Sequence, residues 1–338
     1  MQTCVVLNSH LALTPELVDS VGLHKGDRAR LIPSGGQLYI RPARGGTPIR
    51  EFRLRLRSEL MASLGWANGD ILGVETDGRR LAVARVDDPM DSAFTTVGED
   101  GAPVPPHWLV QTVTGNPRRD RFLASGHSIA RFFADLIEAH LLDVVRPTVM
   151  DFGCGCGRVA RALPNYLDCE MFGCDITAAA VEWCQQNLPG SYLMSAENPP
   201  LPLDDACFDA LHAVSVLTHL NEAHQNAWLA EWRRLVRPGG LLLVTYRGEG
   251  FLTSREPPNR EQIERTWEGS GFAFLKTDHW RGVFPKYYGG AYHTHAYVSE
   301  HWGRFFDVME QRPGTQTPLP QDLAVMRRAP EAPSITRG

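Results

Sequence analysis

No stretch of this 338-residue chain is apolar for long enough to cross a bilayer, which takes about 20 residues as a helix. A helical membrane protein is thereby excluded, and no membrane partner is expected. The opening residues, Met1-Gln2-Thr3-Cys4-Val5-Val6-Leu7, lack a basic leader and a long apolar core, so no secretory signal is expected. Framework spacing of cysteines is missing too. The seven cysteines are an odd, scattered set, which points to reduced thiols and a cytoplasmic protein. Cys154 and Cys156 are not followed by a second pair at zinc spacing. Small-residue packing is therefore favoured there over a metal role, and no metal is expected.

Acidic character is modest and unevenly spread. The net charge is −5, yet Lys25 to Arg57 holds nine Lys/Arg against only Asp27 and Glu51. Residues 1–88 carry twelve basic against ten acidic residues, leaving −7 to the remainder. A basic patch on an acidic protein is a candidate anion-binding face, with a solvated strand face as the alternative.

What is present begins with a repeat. Leu11-Ala12-Leu13-Thr14-Pro15-Glu16-Leu17 matches Leu54-Arg55-Leu56-Arg57-Ser58-Glu59-Leu60 at an offset of 43. Gly22, Gly26 and Asp27 fall on Gly65, Gly69 and Asp70. Each unit reads strand, short helix, Gly-Asp turn, strand, hairpin, strand, with hairpin turns at Ser34-Gly35-Gly36 and Asp77-Gly78. One unit of about 40 residues is too small for a core, so two in tandem are expected to pair. These residues, with Lys25-Gly26-Asp27 and Leu38-Tyr39-Ile40-Arg41-Pro42, resemble the swapped-hairpin family of AbrB, SpoVT and MraZ regulators over residues 5–86. Members of that family are mostly DNA-binding dimers that read the duplex with basic strand residues, so the resemblance implies such a face here. Arg53, Arg55 and Arg57 alternate with Phe52, Leu54 and Leu56, so one face of a strand would carry all three arginines. Nucleic acid thus stays open as a partner. Against palindromic reading, Arg28 and Arg30 have Ile71 and Gly73 as repeat partners.

The domain scheme expected is a tandem module over 1–88, a linker over 89–117, a second domain over 118–330 with an insertion at 247–298, and a tail at 331–338. The stretch Asp87 to Pro117 is rich in breakers, though Phe94, His107 and Trp108 could dock on a domain. From Arg118 onward, strand and helix patterns alternate, the signature of a doubly wound α/β sheet. Strands are expected near 148–152, 170–175, 191–194, 208–215, 241–246, 306–312 and 322–327. Helices are expected near 121–140, 157–163, 178–188, 222–235 and 299–305.

The richest motif is Val149-Met150-Asp151-Phe152-Gly153-Cys154-Gly155-Cys156-Gly157-Arg158. An apolar run, an acid and alternating glycines let the backbone approach a ligand closely before a helix. By itself such a turn could hold a dinucleotide. The next strand ends in an acid, Asp175, 20 residues after Gly155. Further on come Ser195-Ala196-Glu197-Asn198-Pro199-Pro200, then Phe208 to Leu220, then Leu235-Val236-Arg237-Pro238-Gly239-Gly240 with its apolar run. This series resembles class I S-adenosylmethionine-dependent methyltransferases over residues 118–328. The resemblance implies a seven-stranded Rossmann-like sheet with an antiparallel last strand, and S-adenosyl-L-methionine as cofactor. It further implies that Asp151, Gly153, Gly155 and Gly157 form the methionine and ribose cradle, that Asp175 grips the ribose diol and that Ile176 flanks the adenine. Ala196 and Glu197 would lie at the adenine edge, Ser215 beneath the methyl donor, and Arg158 at the cofactor carboxylate or on the surface. The string Asn198-Pro199-Pro200-Leu201 precedes the fourth strand and lacks an aromatic, so it is set apart from the Pro-Pro-aromatic motif of amino-group methyltransferases.

Methyl transfer needs a nucleophile about 3 Å from the methyl and, for some acceptors, a base. His219 follows the fourth strand. His293 and His295 sit in Tyr287-Tyr288-Gly289-Gly290-Ala291-Tyr292-His293-Thr294-His295-Ala296-Tyr297 and would share a face if extended. These three are the candidate bases, with structural roles as the alternative for each. Together with Thr277-Asp278-His279-Trp280, the aromatics and glycines suit a lid over an organic acceptor. The chain lacks the Pro-Cys nucleophile of pyrimidine C5 enzymes and the lysine tetrad of ribose methyltransferases. The expectation is a methyltransferase acting on a biosynthetic small molecule or modified peptide, its N-terminal module recruiting the acceptor or dimerising. The alternatives are a nucleic-acid-binding regulator or modifier, and a cofactor-binding pseudoenzyme. Oligomerisation stays open.

Overall fold

A computed structural model describes residues 2–7, 9–34, 37–50, 53–66, 71–76, 79, 81–85, 101–114, 118–255, 257, 259–276 and 287–330. The chain divides into two compact units. The sites named above at Gly35-Gly36, Phe52, Gly69-Asp70, Asp77-Gly78, Phe94, Thr277-Asp278-His279-Trp280 and the tail 331–338 lie outside the described residues, as do the side chains of His107 and Trp108.

The first unit is built on strands β1 (Gln2–Leu7), β2 (His10–Ala12), β3 (Arg28–Ser34), β4 (Gln37–Pro42), β5 (Thr47–Pro48), β6 (Arg53–Arg55), β7 (Ile71–Thr76) and β8 (Leu81–Arg85). Short helices α1 (Pro15–Asp19) and α2 (Ser58–Leu64) intervene. The strands form one sheet in the order β5-β3-β4-β8-β7-β1-β2-β6. Leu11, Leu13, Leu54 and Leu56 are buried in its core with Val6, Leu38, Ile40, Leu72 and Val83. Alternation along β6 leaves Arg55 and Arg57 exposed and Arg53 half-buried. Antiparallel partners include Leu11 with Leu54, Tyr39 with Ala82, Cys4 with Leu72 and Ala29 with Thr47.

The expected linker is partly ordered: α3 spans His107–Thr114. The carbonyls of Ala102 and Pro103 accept hydrogen bonds from Arg161 within the second unit.

The second unit holds α4 (Arg119–His140), β9 (Thr148–Phe152), β10 (Glu170–Asp175), α5 (Ala178–Asn187), β11 (Ser191–Met194), β12 (Phe208–Ala213), α6 (Glu222–Leu235) and β13 (Val236–Tyr246). Then follow α7 (Glu249–Ser254), α8 (Arg260–Ser270), β14 (Phe272–Lys276), β15 (Gly289–His293), α9 (His295–His301), β16 (Asp307–Arg312) and β17 (Asp322–Arg327). Seven strands form a mostly parallel Rossmann-like sheet, β11-β10-β9-β12-β13-β17-β16, with β17 antiparallel to both neighbours. Successive strand residues face opposite sides. Val149, Met171, Ala210, Leu241 and Val325 pack on the side of Ile129, Phe133 and Val181 from α4 and α5. Met150, Cys174, Leu211, Leu242 and Met326 pack on the side of Trp228, Trp232 and Trp302. Both faces are therefore covered, and ligands of such sheets sit beyond the carboxyl ends of the strands.

Four elements differ from their sequence expectation, among them β13, which begins at Val236 rather than 241. The segment after the glycine turn is not a regular α-helix: its residues form turns and a single 3-10 turn, Leu163–Asn165. Gly157 stands at φ +79, which cannot begin a right-handed helix, and Pro164 removes an N–H donor. Strand β12 stops at Ala213 rather than 215, because Ser215 adopts φ 61. Helix α9 starts at His295 instead of 299, because the Thr294 hydroxyl accepts from the N–H of Tyr297 and caps it.

Candidate active site

The turn after β9 has left-handed backbone at Gly153, Gly155 and Gly157. A Cβ on Gly153 would stand 2.5 Å from Val216, and one on Gly157 2.3 Å from Leu188. The turn folds across the end of β10, where the N–H groups of Gly153 and Cys154 both donate to the carbonyl of Cys174. Beneath it, the Cys154 and Cys184 thiols each lie 3.5 Å from the carbonyl of Gly155. A hydrogen bond with Cys184, together with burial, pushes the Cys154 thiol up, and burial pushes up that of Cys156, which keeps both protonated.

Asp175 closes the far side. Its Oδ2 accepts from the N–H of Gly155 at 2.8 Å, and its Oδ1 from that of Thr177 at 2.7 Å. Each carboxylate oxygen keeps a second acceptor position, so the group suits two neighbouring hydroxyls. Partial burial raises its pKa, while the backbone donors oppose the rise. Ile176 is half-buried beside it, and Ala196 and Glu197 are exposed. The Glu197 carbonyl accepts from the Tyr287 hydroxyl.

Asp151 lies lower, buried under the turn, where its Oδ2 accepts from the N–H of Ala160 at 3.2 Å. Burial pushes its carboxyl up to about 7, against the opposing Arg158 guanidinium and the Ala160 N–H. Its Oδ1 lies 3.4 Å from Nδ1 of His212, its partner across β9 and β12. Burial pushes His212 down to about 3. Asp151 therefore braces the turn from below. Arg158 is half-buried, and its backbone packs so tightly on α4 that a Cβ on Gly126 would meet its carbonyl at 2.2 Å.

Ser215 leaves β12 with its N–H donating to the Thr245 hydroxyl at 2.8 Å. Its Oγ accepts from Nε2 of Gln321, the residue before β17, at 2.9 Å. Three strand ends are thus linked near one point.

The three histidines part company. His219 stacks on Tyr288 with centroids 4.6 Å apart and planes 6° off parallel. Its Nδ1 lies 3.0 Å from the carbonyl of Gly289, which can only accept, so that nitrogen carries the proton. Burial and the Arg247 cation push its pKa down to about 3. His293 is fully buried among Tyr246, Phe272 and Trp302, with Nε2 2.9 Å from Oε1 of Gln225. Burial pushes it to about 3 as well. His295 does not share its face: it opens α9, and its Nε2 bonds the buried carboxylate of Asp322 at 2.9 Å. That bond raises its pKa. The Asp322 carboxylate also accepts from the N–H groups of Gly250 and Gly314. His219 meets the start of β15 at Gly289, His293 bonds Gln225 of α6, and His295 bonds Asp322 of β17.

Arg247 and Gln321 were not singled out from sequence, and Tyr287 and Tyr288 were named only as part of the lid string. Burial raises the Tyr288 pKa, and Asp175 raises it further while Arg247 opposes, so its hydroxyl lies within the field of both. The only signal for Arg247 was its place directly after the apolar strand Leu241-Leu242-Leu243-Val244-Thr245-Tyr246.

Residues 150–244 match the domain family described as Methyltransferase domain. The matched segment contains the glycine turn, Asp175, Ser215 and His219. Over 100 residues the chain is 35% identical to phthiotriol/phenolphthiotriol dimycocerosates methyltransferase 1 of Mycobacterium ulcerans (strain Agy99), a match covering 29% of this chain and 36% of that protein. Over 124 residues it is 29% identical to malonyl-[acyl-carrier protein] O-methyltransferase of Pseudescherichia vulneris, covering 37% of this chain and 48% of that protein. The matches thus span between about a third and a half of these curated relatives. Among solved structures, a glycopeptide N-methyltransferase complexed with S-adenosyl-L-methionine aligns at a TM-score of 0.43 and 16% identity, over 61% of this chain and 94% of that one.

Proposed function

We propose that the protein is an S-adenosylmethionine-dependent methyltransferase acting on a biosynthetic small molecule or modified peptide. The observation that carries this reading is the Asp175 carboxylate bonded to the N–H of Gly155 inside the matched domain. It joins the glycine turn to the second strand and leaves acceptor positions for a ribose diol. Gly153, Gly155 and Gly157 supply a backbone surface free of side chains for the methionine part. Ile176, Ala196 and Glu197 border the adenine, and Arg158 is the candidate for the carboxylate. When bound, S-adenosyl-L-methionine supplies an electrophilic methyl on sulfur. The chain's own part is to hold the acceptor in line and exclude water. Within this reading His219 is a positioning residue: a neutral imidazole protonated at Nδ1 orients Tyr288 and the acceptor rather than storing a proton. By their names, the curated relatives above act on phthiotriol/phenolphthiotriol dimycocerosates and on malonyl-[acyl-carrier protein], which supports a biosynthetic acceptor. Isothermal titration with S-adenosyl-L-methionine, and mass spectrometry for co-purified S-adenosyl-L-homocysteine, test the reading. Micromolar binding is expected. Binding of a nicotinamide or flavin nucleotide instead would overturn it.

The N-terminal unit, in this proposal, recruits or orients the acceptor, since tethering raises effective concentration at the site. Its strand pairing supports the tandem swapped-hairpin reading. Leu11 with Leu54 and Tyr39 with Ala82 pair residues 43 apart. Cys4 with Leu72 becomes Thr47 with Ala29 after the same shift of 43 and an exchange of halves. A second reading, nucleic-acid binding, is favoured by Arg55 and Arg57 lying exposed beside Arg53. Salt separates the two, because phosphate contacts release counterions and steepen the salt dependence.

A further inference from the structure

Arg247 directly follows β13 and reaches the segment between β12 and α6. Its Nη1 donates to the carbonyl of Thr218 at 3.0 Å, and Thr218 in turn donates through Oγ1 to the carbonyl of Ser215. The backbone of Arg247 is held from the other side, its carbonyl accepting from the N–H of His293. The guanidinium carbon stands 5.4 Å from the ring centre of Tyr292 and 5.9 Å from that of Phe251. A Cβ on Gly290 would lie only 3.3 Å from Nη1, so the glycine gives the hairpin room to pass. Burial holds the Arg247 pKa below the usual guanidinium value, and the groups that oppose this are Tyr292 and Tyr288, not a carboxylate. Among the described residues no Asp or Glu pairs with it, whereas Arg234 and Arg260 of the same unit each meet an acid.

A guanidinium cannot shed its charge at neutral pH, and removing it from water without a counter-ion is costly. It has five N–H donors in a planar fork. Thr218 and the Tyr292 side chain account for only part of them. We propose that Arg247 is the specificity residue for the acceptor, and that the acceptor carries a carboxylate on an aromatic or similarly flat body. The carboxylate would complete the fork of Arg247, while Tyr292, Phe251 and the His219–Tyr288 stack supply the apolar walls. A carboxylate pairs bidentately with the planar fork of an arginine, and a flat apolar body can pack on neighbouring aromatic side chains. This deepens the methyltransferase reading by naming the substrate class of that same site, and rests on it.

The test uses the full chain, with and without S-adenosyl-L-homocysteine, titrated calorimetrically with benzoate, benzamide and phenyl phosphate. Benzoate is expected to bind at least about tenfold more tightly than benzamide, and the nucleotide to strengthen its binding. Arg247→Gln is expected to bring the two probes within about twofold of each other, with an unchanged affinity for S-adenosyl-L-homocysteine. Arg247→Lys keeps the charge and is expected to keep the preference at lower affinity. Equal affinities in the wild type, no binding of either probe, or a preference that survives Arg247→Gln would overturn the proposal. Tighter binding of phenyl phosphate than of benzoate would overturn the carboxylate assignment. Failure of S-adenosyl-L-homocysteine to bind, with benzoate still discriminated, would instead remove the methyltransferase reading and leave the acid site standing.

Discussion

Two carboxylates only 24 residues apart in sequence do different work because their surroundings differ. Asp151 is buried under the glycine turn and accepts from the N–H of Ala160; Asp175 is half-buried and holds two backbone donors. Replacing Asp175 by Ala is expected to weaken S-adenosyl-L-methionine binding at least about tenfold, equal to about 1.4 kcal/mol. An unchanged calorimetric affinity would refute the ribose assignment. His295 offers a pH prediction with a definite sign. Its folded pKa is raised above the ordinary 6.5 by the bond to Asp322. Its contribution to stability is therefore complete below about 6.5 and is lost as pH rises through the higher folded value. Because the ring is partly exposed, the effect is modest. Melting temperature should fall between about pH 6 and pH 9 in the wild type, and less so in His295→Gln. Parallel pH curves for the two proteins would show that the pair carries no such linkage. His219 and His293 both sit near 3, so neither supplies a titration step near neutrality.

At the level of elements, the glycine turn carries the sharpest constraint. Gly157→Ala places a Cβ in left-handed backbone and against Leu188. The backbone cost is about 1–2 kcal/mol and overpacking adds about 1–3 kcal/mol. Urea denaturation should show a loss of about 2–5 kcal/mol; a loss below about 1 kcal/mol would mean the turn relaxes freely. Much of this architecture was legible in the chain. Buried parallel strands read as apolar runs, so β9 stands where its residues suggested, and β10, the edge strand β11 and the antiparallel β17 also fall on their expected ranges. What misled was local geometry that periodicity does not register. The apolar spacing after Gly157 suggested a helix, but left-handed glycine and Pro164 made turns. The alternation of His293 and His295 suggested a strand, but the Thr294 cap sent the chain into α9 between them. The glycine turn and Asp175 were readable because their spacing is fixed by the strand crossing. Arg247 was not, because its significance lies in the lack of an acid partner among residues distant in sequence.

For the whole molecule, the basic and acidic parts of the chain fall largely to different units, which suits separate tasks. Deleting residues 1–88 is expected to leave S-adenosyl-L-methionine affinity within about twofold while lowering turnover of the acceptor. Loss of nucleotide affinity in a folded truncation would count against separable modules. No helix among the described residues is long and apolar enough to cross a membrane. The strand registers of the first unit hold one more implication. Leu11 with Leu54 and Tyr39 with Ala82 join halves of a single covalent chain, so dilution cannot part them. Their meeting is a loop-closure event rather than a second-order encounter, and the melting of that unit should be indifferent to protein concentration. Nor must both halves change together. A substitution enters one side only, and in the tandem reading proposed above Arg28 and Arg30 have Ile71 and Gly73 as counterparts 43 residues on.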